Sequence, residues 1–206
     1  MRILHVYKDY PPVRGGIEHH LQLLAEGQAA QGHEVTVLVT SPGRRTTVDV
    51  EDGVRVIRTG RIATLRSTPL SAALVAEIGR VEVDVTHLQS PYPLGEVAHL
   101  VRGRSRATIV SHQSDIVRQR WLGRLYWPLQ LRLLQKAQRI ITSSPQYVAV
   151  SDVLGRFAAK CTPIPLGIDP DRWSAPDPLQ VQSLRERWQT PLLLFVGALR
   201  YYKGLE

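Results

Sequence analysis

The sequence predicts an α/β fold: an open parallel sheet with helices on both faces, continued by the first elements of a second, truncated domain. Three observations carry this. Short apolar runs alternate with segments of helical periodicity as far as Pro165, the pattern of strands joined by right-handed helical crossovers. Apolar runs such as VTVLV inside Glu34 to Thr40 read as strands, and the five large apolar residues Leu192 to Val196 are of the kind normally covered on both faces of a parallel sheet. A proline and aspartate cluster between Leu166 and Pro178 then breaks the pattern before a new helix begins.

Taken in order, Arg2 to Val6 reads as the first strand. A loop through Pro11, Pro12 and Gly15 leads to a helix with Ile17, Leu21 and Leu24 at helical spacing, stopped by Gly32. Glu34 to Thr40 is the second strand, Gly53 to Arg58 the third, Ser71 to Ile78 a helix and Val83 to Leu88 the fourth strand. A helix near Leu94 to Val101 precedes a strand at Ala107 to Ser111. A long basic helix, interrupted near Pro128, precedes Arg139 to Thr142, and a helix from Gln146 to Ala159 precedes Thr162 to Ile164. The boundary divides the chain into 1–168 and 169–206. The second part holds a helix near Leu179 to Trp188 and a buried strand at Leu192 to Val196, too little chain to bury a core of its own. The chain therefore reads as the first half of something longer.

Composition narrows the function classes. Cys161 is the single cysteine, which excludes an intrachain disulfide and fits a reducing compartment. The first residues reach Lys8 and Asp9 too soon for the apolar region of a signal peptide. No window approaches the ~20 apolar residues of a membrane span. These features predict a cytoplasmic protein, with any membrane contact made from the surface, on the inner face of the cell membrane. The net charge of +8 is concentrated: between Val101 and Arg139 nine basic residues face Asp115 alone. On a helical wheel the basic residues from Arg118 to Arg139 fall within roughly 160°, with Leu122, Leu129, Leu133, Leu134 and Ala137 opposite. Such a face is either simply solvated or docks on anionic lipid through Arg118, Arg120 and Arg124, helped by the rings of Trp121, Tyr126 and Trp127. No nucleic-acid-binding motif is present.

In an open parallel sheet the ligand crevice lies outside the carboxyl ends of the strands, so the loop Tyr7 to Gly16 and the turns after Leu88 and Ser111 should converge. Gly15 and Gly16 precede a helix, which lets backbone N–H groups approach a phosphate at the positive end of its dipole; a ligand-free tight turn is the alternative. The loop is not G-x-G-x-x-G, which argues against a dinucleotide site. His112 follows a strand and is placed to donate a hydrogen bond to a ligand. There is no C-x-x-C, H-E-x-x-H, G-x-S-x-G or P-loop, so no metal or other cofactor is expected.

Together these segments resemble a known family. The opening MRILHVYKDYPPVRGGIEHHLQLLAEGQAAQGHEVTVLV, then IVSHQSDIV, IITSSPQYV, IPLGID and LLLFVGALRYYKGL, in this order and spacing, look like retaining glycosyltransferases of family 4, which have the GT-B fold. The resemblance implies two Rossmann-like domains facing each other across a cleft, the amino-terminal one binding the acceptor and the carboxyl-terminal one the nucleotide sugar. It makes Gly15 and Gly16 contacts of the donor diphosphate and places His112 near the transferred sugar. Arg200 and Lys203 would neutralise the leaving diphosphate without a metal, and Tyr7, Asp9 and Tyr10 would face the acceptor. The family usually has arginine where this chain has Ala198, a position Arg200 would have to serve from two residues on. A pair of glutamates that holds the nucleotide in the family's donor domain lies beyond Glu206.

Two readings follow. The first is the acceptor half of a glycosyltransferase that moves a hexose from a nucleotide sugar to a lipid-linked or saccharide acceptor in envelope or polysaccharide assembly, inactive by itself. The second is a non-catalytic binding subunit or fragment whose site is completed by a carboxyl-terminal domain in cis or in trans.

Overall fold

A computed structural model describes residues 1–65, 68–115, 120–170, 176–188 and 191–197, with side chains described outside residues 120–125. Contacts divide the chain into two units, Met1–Ile168 and Asp169–Glu206.

The first unit runs β1 (Arg2–Val6), α1 (Gly16–Ala30), β2 (Glu34–Thr40), β3 (Thr47–Glu51), β4 (Val54–Thr59), β5 (Ala63–Leu65), β6 (Thr68–Leu70), α2 (Ala72–Ile78), β7 (Val85–Ser90), α3 (Pro93–Arg102), β8 (Ala107–His112), α4 (Arg120–Lys136), β9 (Arg139–Thr142), α5 (Pro145–Val150), a 3₁₀ segment Leu154–Lys160 and β10 (Cys161–Pro163). Eight of the strands form one sheet in the order β10-β9-β8-β7-β1-β2-β4-β3. Every pairing is parallel except that of β3 with β4. The chain order reverses at β1, between β2 and β7, which is where an open sheet of this kind offers a crevice. Right-handed crossovers running in opposite directions from that point place α1 on one face and α3 and α4 on the other. Leu4, Val6, Leu38, Val110 and Ile140 are at most 1% exposed and form the centre of the core.

Several expectations are corrected. Gly53 belongs not to a strand but to a two-residue turn, in which Asp52 and Gly53 have φ of 48° and 78° and join β3 to β4. Positive φ at both positions suits the twist of a hairpin, and an Asp-Gly pair supplies it. The added strand β3 is an edge, with Val48 and Val50 exposed. The small ribbon of β5 and β6 was not foreseen either. The helix expected over Gln146 to Ala159 is broken at Ser151, whose Oγ accepts from Leu154 N at 3.2 Å and starts a new turn. Pro128, conversely, does not interrupt α4; it faces solvent, where the carbonyl left without a donor can be hydrated. Within the second unit α6 (Pro178–Arg187) is capped by Asp177. Leu192 to Val196 forms no strand: Leu193 is 98% exposed, since among the described residues of that unit no neighbouring strand exists to pair with it.

One contact ties the far end of the sheet together. Lys160 Nζ donates to the carbonyls of Leu134, Gln135 and Ala137 at the end of α4, satisfying acceptors that the helix leaves open and meeting the negative end of its dipole. Replacing Lys160 with methionine is expected to cost about 2 kcal/mol, read as a loss of several degrees in thermal midpoint. An unchanged midpoint would show the lysine to be a mere surface charge.

Candidate functional site

The rim at the carboxyl ends of β7 and β8 carries Gln89, Ser90, Ser111 and His112, each at most 2% exposed. Parallel register sets Gln89 beside Ser111 and Ser90 beside His112. His112 is the last residue of β8, and its Nε2 lies 2.9 Å from Asp115 Oδ1. The same oxygen accepts from Ser151 Oγ at 3.1 Å. Tyr147 stacks on the imidazole, ring centroids 5.9 Å apart and planes 12° apart. The hydrogen bond from His112 holds the Asp115 carboxyl below its usual range, against the opposing effect of burial. Burial and Asp115 push the Tyr147 phenol up. His112 thus does not stand free after the strand with a donor offered to a ligand, as expected from the sequence; it is buried and bonded to Asp115.

Behind it, Glu96 of α3 is 1% exposed and accepts from Tyr92 N at 2.8 Å and from the Tyr126 hydroxyl. Its burial pushes the carboxyl up. On the α1 side of the sheet His5 Nε2 meets Gln28 Oε1 at 2.7 Å and His87 Nε2 meets Ser111 Oγ at 2.7 Å, the two rings 5.1 Å apart. A cavity of about 260 Å³ beside them has among its lining residues His20 and Gln28 of α1 and His87, Ser111 and His112 of the sheet.

The loop from Tyr7 to Gly16 is bolted to the neighbouring strand ends. Thr40 Oγ1 donates to Lys8 O at 2.6 Å, Arg61 Nη2 to Asp9 Oδ1 at 2.7 Å, and Arg58 Nη2 to Pro11 O at 2.7 Å. Tyr7 and Tyr10 are 4% exposed and belong to the core; the Tyr7 ring meets Tyr92 edge-on and the Arg58 guanidinium lies 5.9 Å from the Tyr10 ring. The two tyrosines read as acceptor-facing are therefore packed inward, and Asp9 is engaged with Arg61. Sequence reasoning missed both arginines, whose only signal was a basic residue at each end of Arg58 to Arg61.

Gly15 and Gly16 open α1, Gly15 as an N-cap that offers no side chain of its own. Their surroundings differ. A Cβ at Gly15 would lie 2.0 Å from Glu18 Oε2, whereas one at Gly16 would meet nothing within 4 Å. The buried Glu18 carboxylate therefore lies beside Gly15 at the positive end of the helix, whereas the space around the Cα of Gly16 is open.

On α4 Trp127 is half-buried against the core, with the Arg156 guanidinium 5.6 Å from its ring. This corrects its reading as a ring offered to a membrane. Of the expected apolar stripe Leu133, Leu134 and Ala137 are buried as foreseen, whereas Leu129 is exposed and Gln130 is buried instead. Arg118, Arg200 and Lys203 lie outside the described residues, as do the side chains of Arg120, Trp121 and Arg124. Among the described residues no helix is long and apolar enough to cross a membrane.

A parallel sheet that reverses at β1, with polar groups gathered at its strand ends, defines a Rossmann-like domain of the kind that builds the GT-B fold. Solved structures agree on the fold: Anabaena HepE in complex with UDP-glucose superposes with a TM-score of 0.60 at 16% identity, over 91% of this chain and 49% of that one. Sucrose-phosphate synthase from Thermosynechococcus elongatus gives 0.59 at 16% identity, over 85% and 53%. The chain belongs to Glycosyltransferase Family 4, whose profile matches residues 14–172. Among curated relatives it is 36% identical to O-antigen chain mannosyltransferase C of Escherichia coli and 35% identical to D-rhamnosyltransferase WbpZ of Pseudomonas aeruginosa, across its whole length in both cases. It spans about half of each: 56% and 55%.

Proposed function

We propose that this chain is the acceptor-side half of a retaining hexosyltransferase that elongates a lipid-linked or saccharide acceptor in the assembly of an envelope polysaccharide. The observation that carries this is the match along the whole chain to two relatives whose names specify transfer of mannose and of D-rhamnose. D-Rhamnose is 6-deoxymannose, so the two names share one ring configuration, and we extend the proposal to a manno-configured donor. As the bond from the anomeric carbon to the diphosphate breaks, negative charge gathers on the phosphate oxygens. Fixed donors stabilise it best where they need no rearrangement. Gly16 N–H at the start of α1 would supply one such donor, and Arg200 and Lys203, as the resemblance implies, the cations, with no metal required. Reaction at the cytoplasmic face, and contact of the basic helix with anionic lipid, belong to the same proposal.

The test is a fusion of this chain to the carboxyl-terminal half of the E. coli relative, supplied with GDP-mannose and a lipid-linked acceptor. Transfer with the anomeric configuration kept, unaffected by EDTA, is expected, whereas the chain alone should neither turn over nor bind the donor at micromolar concentration. A folded fusion that transfers nothing, while the relative's own halves do, would favour a non-catalytic binding subunit.

A further inference from the structure

We propose that Asp115 is the positioning residue for His112, holding the imidazole as the tautomer that carries its proton on Nε2. The importance of this rests on the functional reading of His112 as the group beside the transferred sugar; the geometry does not. A carboxylate only accepts, so across the 2.9 Å between Asp115 Oδ1 and His112 Nε2 the hydrogen belongs to the nitrogen. Asp115 is itself held. Ser151 Oγ donates to the same carboxylate oxygen at 3.1 Å while accepting from Leu154 N at 3.2 Å, which ties it to the start of the 3₁₀ segment. Tyr147 of α5 lies nearly parallel to the imidazole and resists its rotation. Three separate pieces of chain therefore agree on one ring orientation.

The other side of the ring is different in kind. Among the described residues His112 Nδ1 has no hydrogen-bond partner, while Ser90, its register neighbour on β7, is engaged with Glu96 and Tyr126. Glu96 of α3 interacts with the imidazole through its charge, while held by Tyr92 N–H and the Tyr126 hydroxyl. With its proton fixed on Nε2, His112 keeps a lone pair on Nδ1 and can act there only as an acceptor. A fixed tautomer is set by the hydrogen bond that the opposite nitrogen makes, and that bond is the one to Asp115. Held below the usual carboxylate range first by this same hydrogen bond, Asp115 stays an acceptor well below neutral pH.

Long-range proton–nitrogen correlation spectra of the 206-residue chain at pH 8 test this, with His112 assigned by its loss in His112→Gln. The wild type should show the pattern of an Nε2–H tautomer. Asp115→Ala should move the Nδ1 resonance toward the protonated range, and Asp115→Asn, whose amide oxygen accepts the same N–H, should restore the original pattern. An Nδ1–H pattern in the wild type, or an unchanged pattern in a folded Asp115→Ala, overturns the proposal. Where the alanine variant does not fold, the wild-type and asparagine spectra decide. The spectra read the place of a proton and not turnover, so an inactive fusion would sink the functional reading and leave this one standing.

Discussion

Between pH 6.5 and pH 4 the folded chain is expected to lose several kcal/mol of stability and to unfold on the acid side of that window. His5 and His99 are held down from 6.5 to about 4, and His87 well below 6.5, in each case first by burial. The unfolded chain takes up these protons near pH 6.5 and the folded one does not. Stability is therefore complete above pH 6.5, falls as protons bind the unfolded chain, and levels off only once the folded pKa is passed. A histidine displaced this far contributes about 3 kcal/mol, and a domain has only about 5–15 kcal/mol in total. Glu96 works the other way, since burial raises its carboxyl and protonation relieves it. Asp115 adds its own loss below the usual carboxylate range. Circular dichroism against pH should show the transition, and His5→Gln with His87→Gln should move it to lower pH. An unmoved midpoint would mean that these rings charge without cost.

The second large effect separates stability from transfer. Gly16→Leu should leave the thermal midpoint within about 1 kcal/mol of the parent, the cost of an ordinary helix-end substitution, because a Cβ there meets nothing within 4 Å. In the fusion enzyme the same change keeps the backbone N–H but sets a bulky side chain in the approach to it, and should reduce transfer by roughly 10²–10³, the loss expected when a developing anion can no longer reach a fixed donor. Gly15→Ala serves as the contrast. Its Cβ strikes the far end of Glu18, a flexible side chain, so it should displace that carboxylate from the helix end without unfolding the chain. Equal activity in Gly16→Leu and the parent would remove the diphosphate from the α1 terminus.

Much of the architecture was legible because it is written in local pattern. Leu21 at helical spacing, the run VTVLV and the segment Ser71 to Ile78 each announce an element by themselves, and all three stand where expected. The errors fall where neighbours decide. Asp52 and Gly53 signal a hairpin only if Thr47 to Glu51 is recognised as a partner, and that segment is exposed and polar enough to pass for loop. Leu192 to Val196 has the composition of a strand but no strand beside it among the described residues. The candidate site divides the same way. Gly16 and His112 were visible as residues at the ends of an element, whereas Arg58, Arg61, Glu96, Asp115 and Ser151 carry no pattern of their own and matter only for what they touch.

From residue order alone came the family, the succession of strands and helices, and the positions at which loops must meet, because periodicity and strand-end placement are properties of a single segment. Which nitrogen of His112 is occupied and which tyrosines turn inward were decided by tertiary packing. Hydrogen bonds from His112 and Ser151 to one oxygen of Asp115, or two tyrosines of a loop packed into the core, depend on distances between elements that no local pattern encodes.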